Sequence, residues 1–259
     1  MPVLRVATWN LLHGRSLVHG QVRAEDVAAG AKQLDADVVA LQEVDRHQNR
    51  SGVLDLTAVV AEATGAVWWR FLPTVWGEPG QDWTPVRPDE QDDGHRAAYG
   101  IALVSRLTVL DWDVLRFPPA PFGMPLYVPG RGLTKVDDEP RGAVAAVLAG
   151  PAGPFTVAGT HLSFVPGFNV SQLRHLVRWL ADKPAPRLVL GDLNLPGRLP
   201  RAVSGWTQLA RVPTYPSWKP RVQFDHVLAR GVGEHQVQRV DSARLPVSDH
   251  NALSLDLAL

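Results

Sequence analysis

The sequence contains no cysteine among its 259 residues. That excludes a disulfide framework and any thiolate metal site, and it fits a reducing compartment. Net charge is also missing, with 26 Lys+Arg against 26 Asp+Glu. Proteins that grip duplex nucleic acid through many phosphate contacts carry a basic excess, so only a local basic patch remains open to this chain. No uninterrupted apolar stretch approaches the ~18 residues of a membrane span, and none is expected. The N-terminal Met1-Pro2-Val3-Leu4-Arg5 has no basic segment leading into a long apolar one. No signal peptide is therefore expected, and a cytoplasmic location is the default. No internal repeat or low-complexity tract is present, and nothing implies a protein partner.

The chain is 45% hydrophobic and 20% charged, enough for a sizeable core. Short apolar runs bounded by Gly, Pro or Asp predict strands at Val3–Trp9, Val38–Leu41, Ile101–Val104, Val144–Leu148, Phe155–Gly159, Leu188–Leu190, Phe224–Leu228 and Leu253–Leu257. Three stripes at helical spacing predict helices: Val27, Ala28, Ala31 and Leu34; Leu56, Val59, Val60 and Ala63; Leu173, Leu176, Val177 and Leu180. Pro73–Ala98 and Phe117–Gly142 read as long loops rich in Pro, Gly and charge, of the kind that often serves as a lid or binding loop. Many short strands with a few covering helices predict two packed sheets flanked by helices. No composition shift marks a boundary, so residues 1–259 are expected to be a single domain.

Polar residues suited to metal or phosphate binding recur at strand ends: Asn10, Glu43, His161, Asp192 with Asn194, and Asp249 with His250. Each has an ordinary explanation as a turn residue, cap or solvated surface group. Together they resemble a known family, the endonuclease/exonuclease/phosphatase superfamily, which includes pancreatic-type DNases, abasic-site endonucleases, sphingomyelinases and inositol polyphosphate 5-phosphatases. The matching segments are Arg5–Asn10, Asp37–Glu43, Tyr99–Arg106, Gly159–Leu162, Gly191–Asn194, Phe224–Leu228 and Ser248–His250, in the family's order and over nearly the whole chain.

The resemblance implies an α+β fold, a DNase-like four-layer αβ-sandwich of two packed, mainly antiparallel β-sheets flanked by helices. It implies a divalent-metal-dependent phosphoesterase, a phosphodiesterase or nuclease using an activated water. A phosphomonoesterase of inositol-phosphate or lipid type uses the same core residues and is the alternative. A non-catalytic binding module with the same fold is a second, opposed by the intact Glu43 and His250. Mg2+ or Mn2+ is the implied cofactor, since hard cations with oxygen ligands offset phosphate charge and lower the pKa of water. The substrate would be a phosphate ester, with nucleic acid and lipid headgroups as candidates.

By the same resemblance Glu43 is the main metal ligand, with Asn10 beside it and Asp249 a third contributor. Asp192 orients or deprotonates the water, and Asn194 holds a phosphate oxygen or Asp192 itself. His250 contacts phosphate or moves a proton, with Asp225 fixing its tautomer. His161 donates to a non-bridging oxygen or the leaving group. Arg141 matches an arginine that contacts phosphate, and Trp218 and Lys219 are expected substrate contacts on a Pro-flanked rim loop. One departure stands out. The glutamate that supports the first histidine in DNase-like members has no counterpart in Asp92–Ala98, which leaves Asp93 as the candidate substitute. His226 adjoins Asp225 but points the other way by strand alternation and is excluded from the site.

Overall fold

The computed structural model describes residues 3–87, 89–128 and 132–258, with the side chains of 126–128 left aside. Met1-Pro2, Pro88 of the first expected loop, residues 129–131 of the second and Leu259 lie outside the described residues. One sheet of seven strands contains β1 (Val3–Asn10), β2 (Val38–Arg46), β3 (Trp68–Gly77), β4 (Trp83–Pro85), β5 (Ala98–Ser105), β14 (Val237–Ala243) and β15 (Ala252–Ala258), ordered β14-β15-β1-β2-β5-β3-β4. A second of six contains β6 (Val109–Phe117), β9 (Arg141–Gly150), β10 (Gly153–His161), β11 (Arg187–Asp192), β12 (Thr207–Gln208) and β13 (Asp225–Arg230), ordered β12-β13-β11-β10-β9-β6. Strands β7 (Met124–Val128) and β8 (Gly132–Val136) form a separate hairpin. Pairing is antiparallel except for β1 with β2 and β10 with β11, one parallel pair in each large sheet.

Alternation along the strands explains the layers. Val6, Val38, Ala40 and Leu103 of the first sheet meet Val144, Ala146, Val157, Leu188 and Leu190 of the second in the central core. The opposite face of the first sheet is covered by α1 (Ala24–Leu34) and α2 (Leu56–Thr64) through Trp9, Val27, Leu34, Leu41 and Val60. The outer face of the second is covered by α3 (Phe168–Trp179) and α4 (Leu199–Ser204), with Leu173, Leu176, Val189 and Leu228 buried between. This is the expected four-layer sandwich, with helix, sheet, sheet and helix. Local chemistry sets the helix limits. The Asp55 carboxylate accepts from Thr57 N and Ala58 N at 2.9 and 3.1 Å, and Gly65 (φ 69°) closes α2 in the left-handed region. In α1, a Cβ on Gly30 would lie 2.6 Å from the Trp9 ring, so only glycine lets this helix sit against β1.

All eight expected strands and three expected helices are present, most strands running further at both ends. The first long loop is partly strand: β3 extends through Pro73 to Gly77, with a register shift between Pro73 and Val75 absorbing the proline, and β4 (Trp83–Pro85) lies within it. The second contains the β7–β8 hairpin. Strands β6 and β14 escape sequence patterning because they lie at sheet edges, where several residues are exposed and apolar alternation is weak.

Candidate active site

The candidate side chains gather at one end of the sandwich. Two parallel pairs create that rim. Asn10 ends β1 opposite Gln42 of β2, and His161 ends β10 opposite Asp192 of β11. On the far side of β11, Asp192 faces Asp225, the first residue of β13. Four strand ends from two sheets therefore deliver their polar residues to one place.

Glu43 arrives by a different device. Its φ is 53°, in the left-handed region, at a bulge where the β2–β5 register shifts between Leu41 and Val44. Such bulges re-aim a side chain out of strand alternation. Asn194 (φ 49°) and Ser248 (φ 86°) show the same strain. The Asp192 carboxylate braces the first, its Oδ1 accepting from Asn194 N at 3.0 Å, and Ser248 Oγ accepts from His250 N at 3.0 Å.

Asn10 links the halves. Its Nδ2 donates to Glu43 Oε1 at 3.0 Å and to Asp192 Oδ2 at 3.2 Å. Its Oδ1 accepts from Leu12 N at 3.0 Å. The Asn10 amide nitrogen thus faces both carboxylates while its oxygen also meets the backbone. Glu43 also interacts electrostatically with the Asp249 carboxylate. Burial, reinforced by the Asp249 charge and opposed by the Asn10 hydrogen bond, raises Glu43 to about 7. Burial raises Asp249 as well. Two oxygen-rich carboxylates pressed into mutual repulsion suit a hard divalent cation, which would relieve the strain.

Asp192, Asp225 and His250 offer ligand atoms within 4.8 Å of one another. Their hydrogen bonding reads as a relay. Asp225 Oδ2 accepts from His250 Nδ1 at 2.8 Å, which leaves His250 Nε2 facing Asp192 Oδ2 at 3.9 Å. Burial opposes a charge on His250, yet Asp225, with Asp192 and Asp249, pushes it up to about 10. Burial raises Asp192 to about 6 despite the neighbouring His250, close to the pH at which a base works best. The Tyr215 ring lies 4.9 Å from that of His250 and fixes its plane.

His161 departs from expectation. Neither Asp92 nor Asp93 reaches it: Asp92 binds Arg46 at 2.6 and 2.8 Å, and Asp93 caps the amides of His95 and Arg96. Arg141 stands there instead, its Nη1 3.1 Å from His161 Nδ1 and 3.5 Å from Nε2. Burial and then the Arg141 charge hold His161 well below its ordinary pKa. The ring also lies 3.3 Å from Asn194 Nδ2, and its Nε2 is 3.6 Å from the Asp192 carboxylate. Asn194 Nδ2 also donates to Leu162 O at 3.0 Å.

Trp218 and Lys219 lie on the rim. Ser217 N donates to Asp249 O at 2.6 Å and Ser217 Oγ to Ser248 O at 3.1 Å, so the adjoining Trp218 is fixed beside the Asp249 loop and is 57% exposed. No side-chain hydrogen bond or ring contact joins Trp218 or Lys219 to the cluster among the described residues. Sequence reading missed Glu139 and Tyr215. Glu139 Oε2 lies 3.8 Å from Arg141 Nη1; the acidic pair Asp138-Glu139 before Pro140-Arg141 was its only signal.

The fold and the site together define a phosphoesterase-type αβ-sandwich with carboxylates, amides and a histidine converging on one rim. The chain belongs to the Endonuclease/Exonuclease/phosphatase family, whose model matches residues 7–250. Members of this family are phosphoesterase hydrolases and typically use divalent metals. No curated protein matches the chain. Among solved structures it is similar to an endonuclease/exonuclease/phosphatase from Beutenbergia cavernae, at 23% identity and TM-score 0.65 over 100% of this chain and 72% of that one. It is similar to sphingomyelinase C from Streptomyces griseocarneus, at 18% and 0.61 over 100% of both chains. It is also similar to a mannosyl-6-phosphatase from Bacteroides thetaiotaomicron, at 15% and 0.59 over 99% of this chain and 100% of that one. These three likenesses establish the fold.

Proposed function

We propose that the protein is a divalent-metal-dependent phosphodiesterase, with residues 1–259 acting as one domain around the shared core of the two sheets. The observation that carries this reading is the unbroken chain of contacts Glu43–Asn10–Asp192 and Asp192–His250–Asp225. Mg2+ or Mn2+, bound at Glu43 and Asp249, would supply positive charge against the phosphate and lower the pKa of water.

Asp192 takes the proton from the attacking water. Asn10 and the Asn194 amide hold the Asp192 carboxylate in place, each satisfying one of its oxygens. The His250 imidazolium, held charged by Asp225, presents Nε2–H to a phosphate oxygen as negative charge builds. Arg141, buried and aimed into the same pocket, is the second cation for phosphate. His161 keeps Arg141 and Asn194 apart and in register. The neutral charge of the whole chain favours a small or headgroup-sized diester over processive duplex binding.

The test is hydrolysis of bis(4-nitrophenyl) phosphate by the purified protein with Mg2+ or Mn2+, with chelator, and by Glu43→Gln. Metal-dependent hydrolysis lost in the variant is expected. Turnover that survives chelator or the substitution would sink the reading. Mono-aryl phosphate, plasmid DNA and sphingomyelin in the same assay separate the substrate classes.

A further inference from the structure

Three phenylalanines, one of them beside Arg141, lie on segments tied to the candidate site and have no part in the chemistry above. Phe164 comes from the segment joining β10 to α3, Phe168 is the first residue of α3, and Phe122 comes from the segment joining β6 to β7. The Arg141 Cζ sits 5.9 Å from the Phe164 ring centroid. Phe122 and Phe168 meet edge to face, with centroids 5.7 Å apart and planes at 84°. Phe122 remains 52% exposed. A large aromatic left half in water marks a contact surface more than a core position.

Buried hydrogen bonds fasten this lip to the candidate catalytic residues. Asp138 Oδ2 accepts from Ala120 N at 2.8 Å and from Ser163 Oγ at 2.7 Å, tying the Phe122 and Phe164 segments together three residues before Arg141. Asn169 Nδ2 donates to Asn194 O at 2.9 Å, which ties Phe168 to the turn that braces Asp192. The lip cannot shift without moving Arg141, His161 or Asn194. Across the cleft, Trp218 is held beside Asp249 by the Ser217 bonds. A phosphate between Arg141 and Asp249 would thus have aromatic surface on either side.

We propose that Phe122, Phe164 and Phe168 form a subsite for a planar aromatic substituent of the phosphodiester. This rests on the phosphodiesterase reading. The edge-to-face pair leaves Phe122 open to a ring stacked offset upon it, the arrangement aromatic groups prefer. An acyl chain would need an enclosed channel, and the lip is shallow. The apolar cavity of about 370 Å3 lined by Leu4, Leu107 and Phe155 lies at the opposite end of the strands, out of reach of the same ester. Two flanking aromatic surfaces suit a diester whose two substituents are both bulky, and they leave a monoester one surface unused.

The experiment compares KM and kcat for bis(4-nitrophenyl), cyclohexylmethyl 4-nitrophenyl and methyl 4-nitrophenyl phosphate in Mn2+, for the wild type, Phe122→Ala and Phe122→Trp. Phe122→Ala is expected to raise KM for the bis-aryl ester by about fivefold to tenfold, the worth of one aromatic pair. The methyl ester and kcat should hardly change, and Phe122→Trp should retain wild-type KM. An unchanged bis-aryl KM overturns the subsite, as does a cyclohexylmethyl ester bound as tightly as the aryl one. Calorimetric titration with diphenyl and dimethyl phosphate decides the matter independently of turnover. A wild type that prefers diphenyl phosphate through Phe122 yet hydrolyses nothing overturns the enzyme and leaves the subsite standing. Absence of that preference overturns the subsite alone.

Discussion

At Glu43, backbone and side chain are strained together. Its left-handed φ takes the carboxylate out of strand alternation, and burial, reinforced by the Asp249 charge, raises its pKa from 4.5 to about 7. A carboxylate raised in the folded state binds its proton more tightly there than in the unfolded chain. The stability it lends is complete below about 4.5 and is lost as pH rises through about 7. Glu43→Gln is therefore expected to raise the melting temperature of the metal-free protein at pH 8, although the change removes activity. Mg2+ should raise the melting temperature of the wild type and not of the variant; scanning fluorimetry with and without the cation checks both.

His250 has the opposite sign. Its pKa is raised from 6.5 to about 10, so its stabilising contribution is fully present below 6.5 and fades as pH climbs through about 10. Asp225→Asn removes the carboxylate that holds the charge, 2.8 Å from Nδ1 and fully buried. Breaking such a buried pair costs about 3–5 kcal/mol, and the loss should be largest at pH 6 and smallest above pH 10. Urea unfolding across that range, with the imidazole titration followed by NMR, measures it. A pH-independent cost would show that the His250–Asp225 bond is a neutral one.

Among the elements, the β10–β11 ladder and the turn after β11 decide where Asp192 and Asn194 stand. The ladder is tight: a Cβ on Gly191 would lie 2.0 Å from Thr160 O. Gly191→Ala is expected to cost about 1–3 kcal/mol from overpacking and to separate His161 from Asp192, which face each other one residue further on. Urea unfolding and kcat, measured together, test this. The turn is held from below by His226, whose Nε2 donates to Leu195 O at 2.9 Å and whose Nδ1 accepts from Gln208 Nε2 at 3.3 Å. Burial lowers His226 to about 4, which keeps that tautomer neutral. His226→Gln can make both bonds and should retain kcat, whereas His226→Leu should lose about tenfold with KM unchanged, near the cost of one buried hydrogen bond. In an Asn194→Ala background the leucine change should add little, since the turn is the route by which His226 acts.

For the whole molecule, the spacing of the two sheets sets the depth of the cleft. They pack closely beneath the site, where a Cβ on Gly159 would be 3.0 Å from Ala40 Cβ. Ala40 precedes Glu43 by three residues on one sheet, and Gly159 precedes His161 by two on the other. Small residues at this layer bring Glu43 and Asp192 within reach of one Asn10 side chain. Gly159→Val is expected to wedge the sheets apart, lowering both stability and kcat, with unfolding and turnover measured on the same preparation. A stable variant with full turnover would show that the sheet spacing does not set the site.

The sequence by itself determined the strand cores, the helix stripes and the order of the polar residues that close the strands. Apolar periodicity and turn chemistry act over a few neighbouring residues, so Leu173–Leu176 and Gly191-Asp192-Leu193-Asn194 are legible as they stand. Only the tertiary structure decided that Asn10 turns its nitrogen to Asp192, 182 residues away, that Arg141 rather than Asp92 or Asp93 stands against His161, and that Glu139 and Tyr215 lie beside these residues. These depend on how closely two sheets pack and how a bulge re-aims one side chain, and neither is written in any local stretch of the chain.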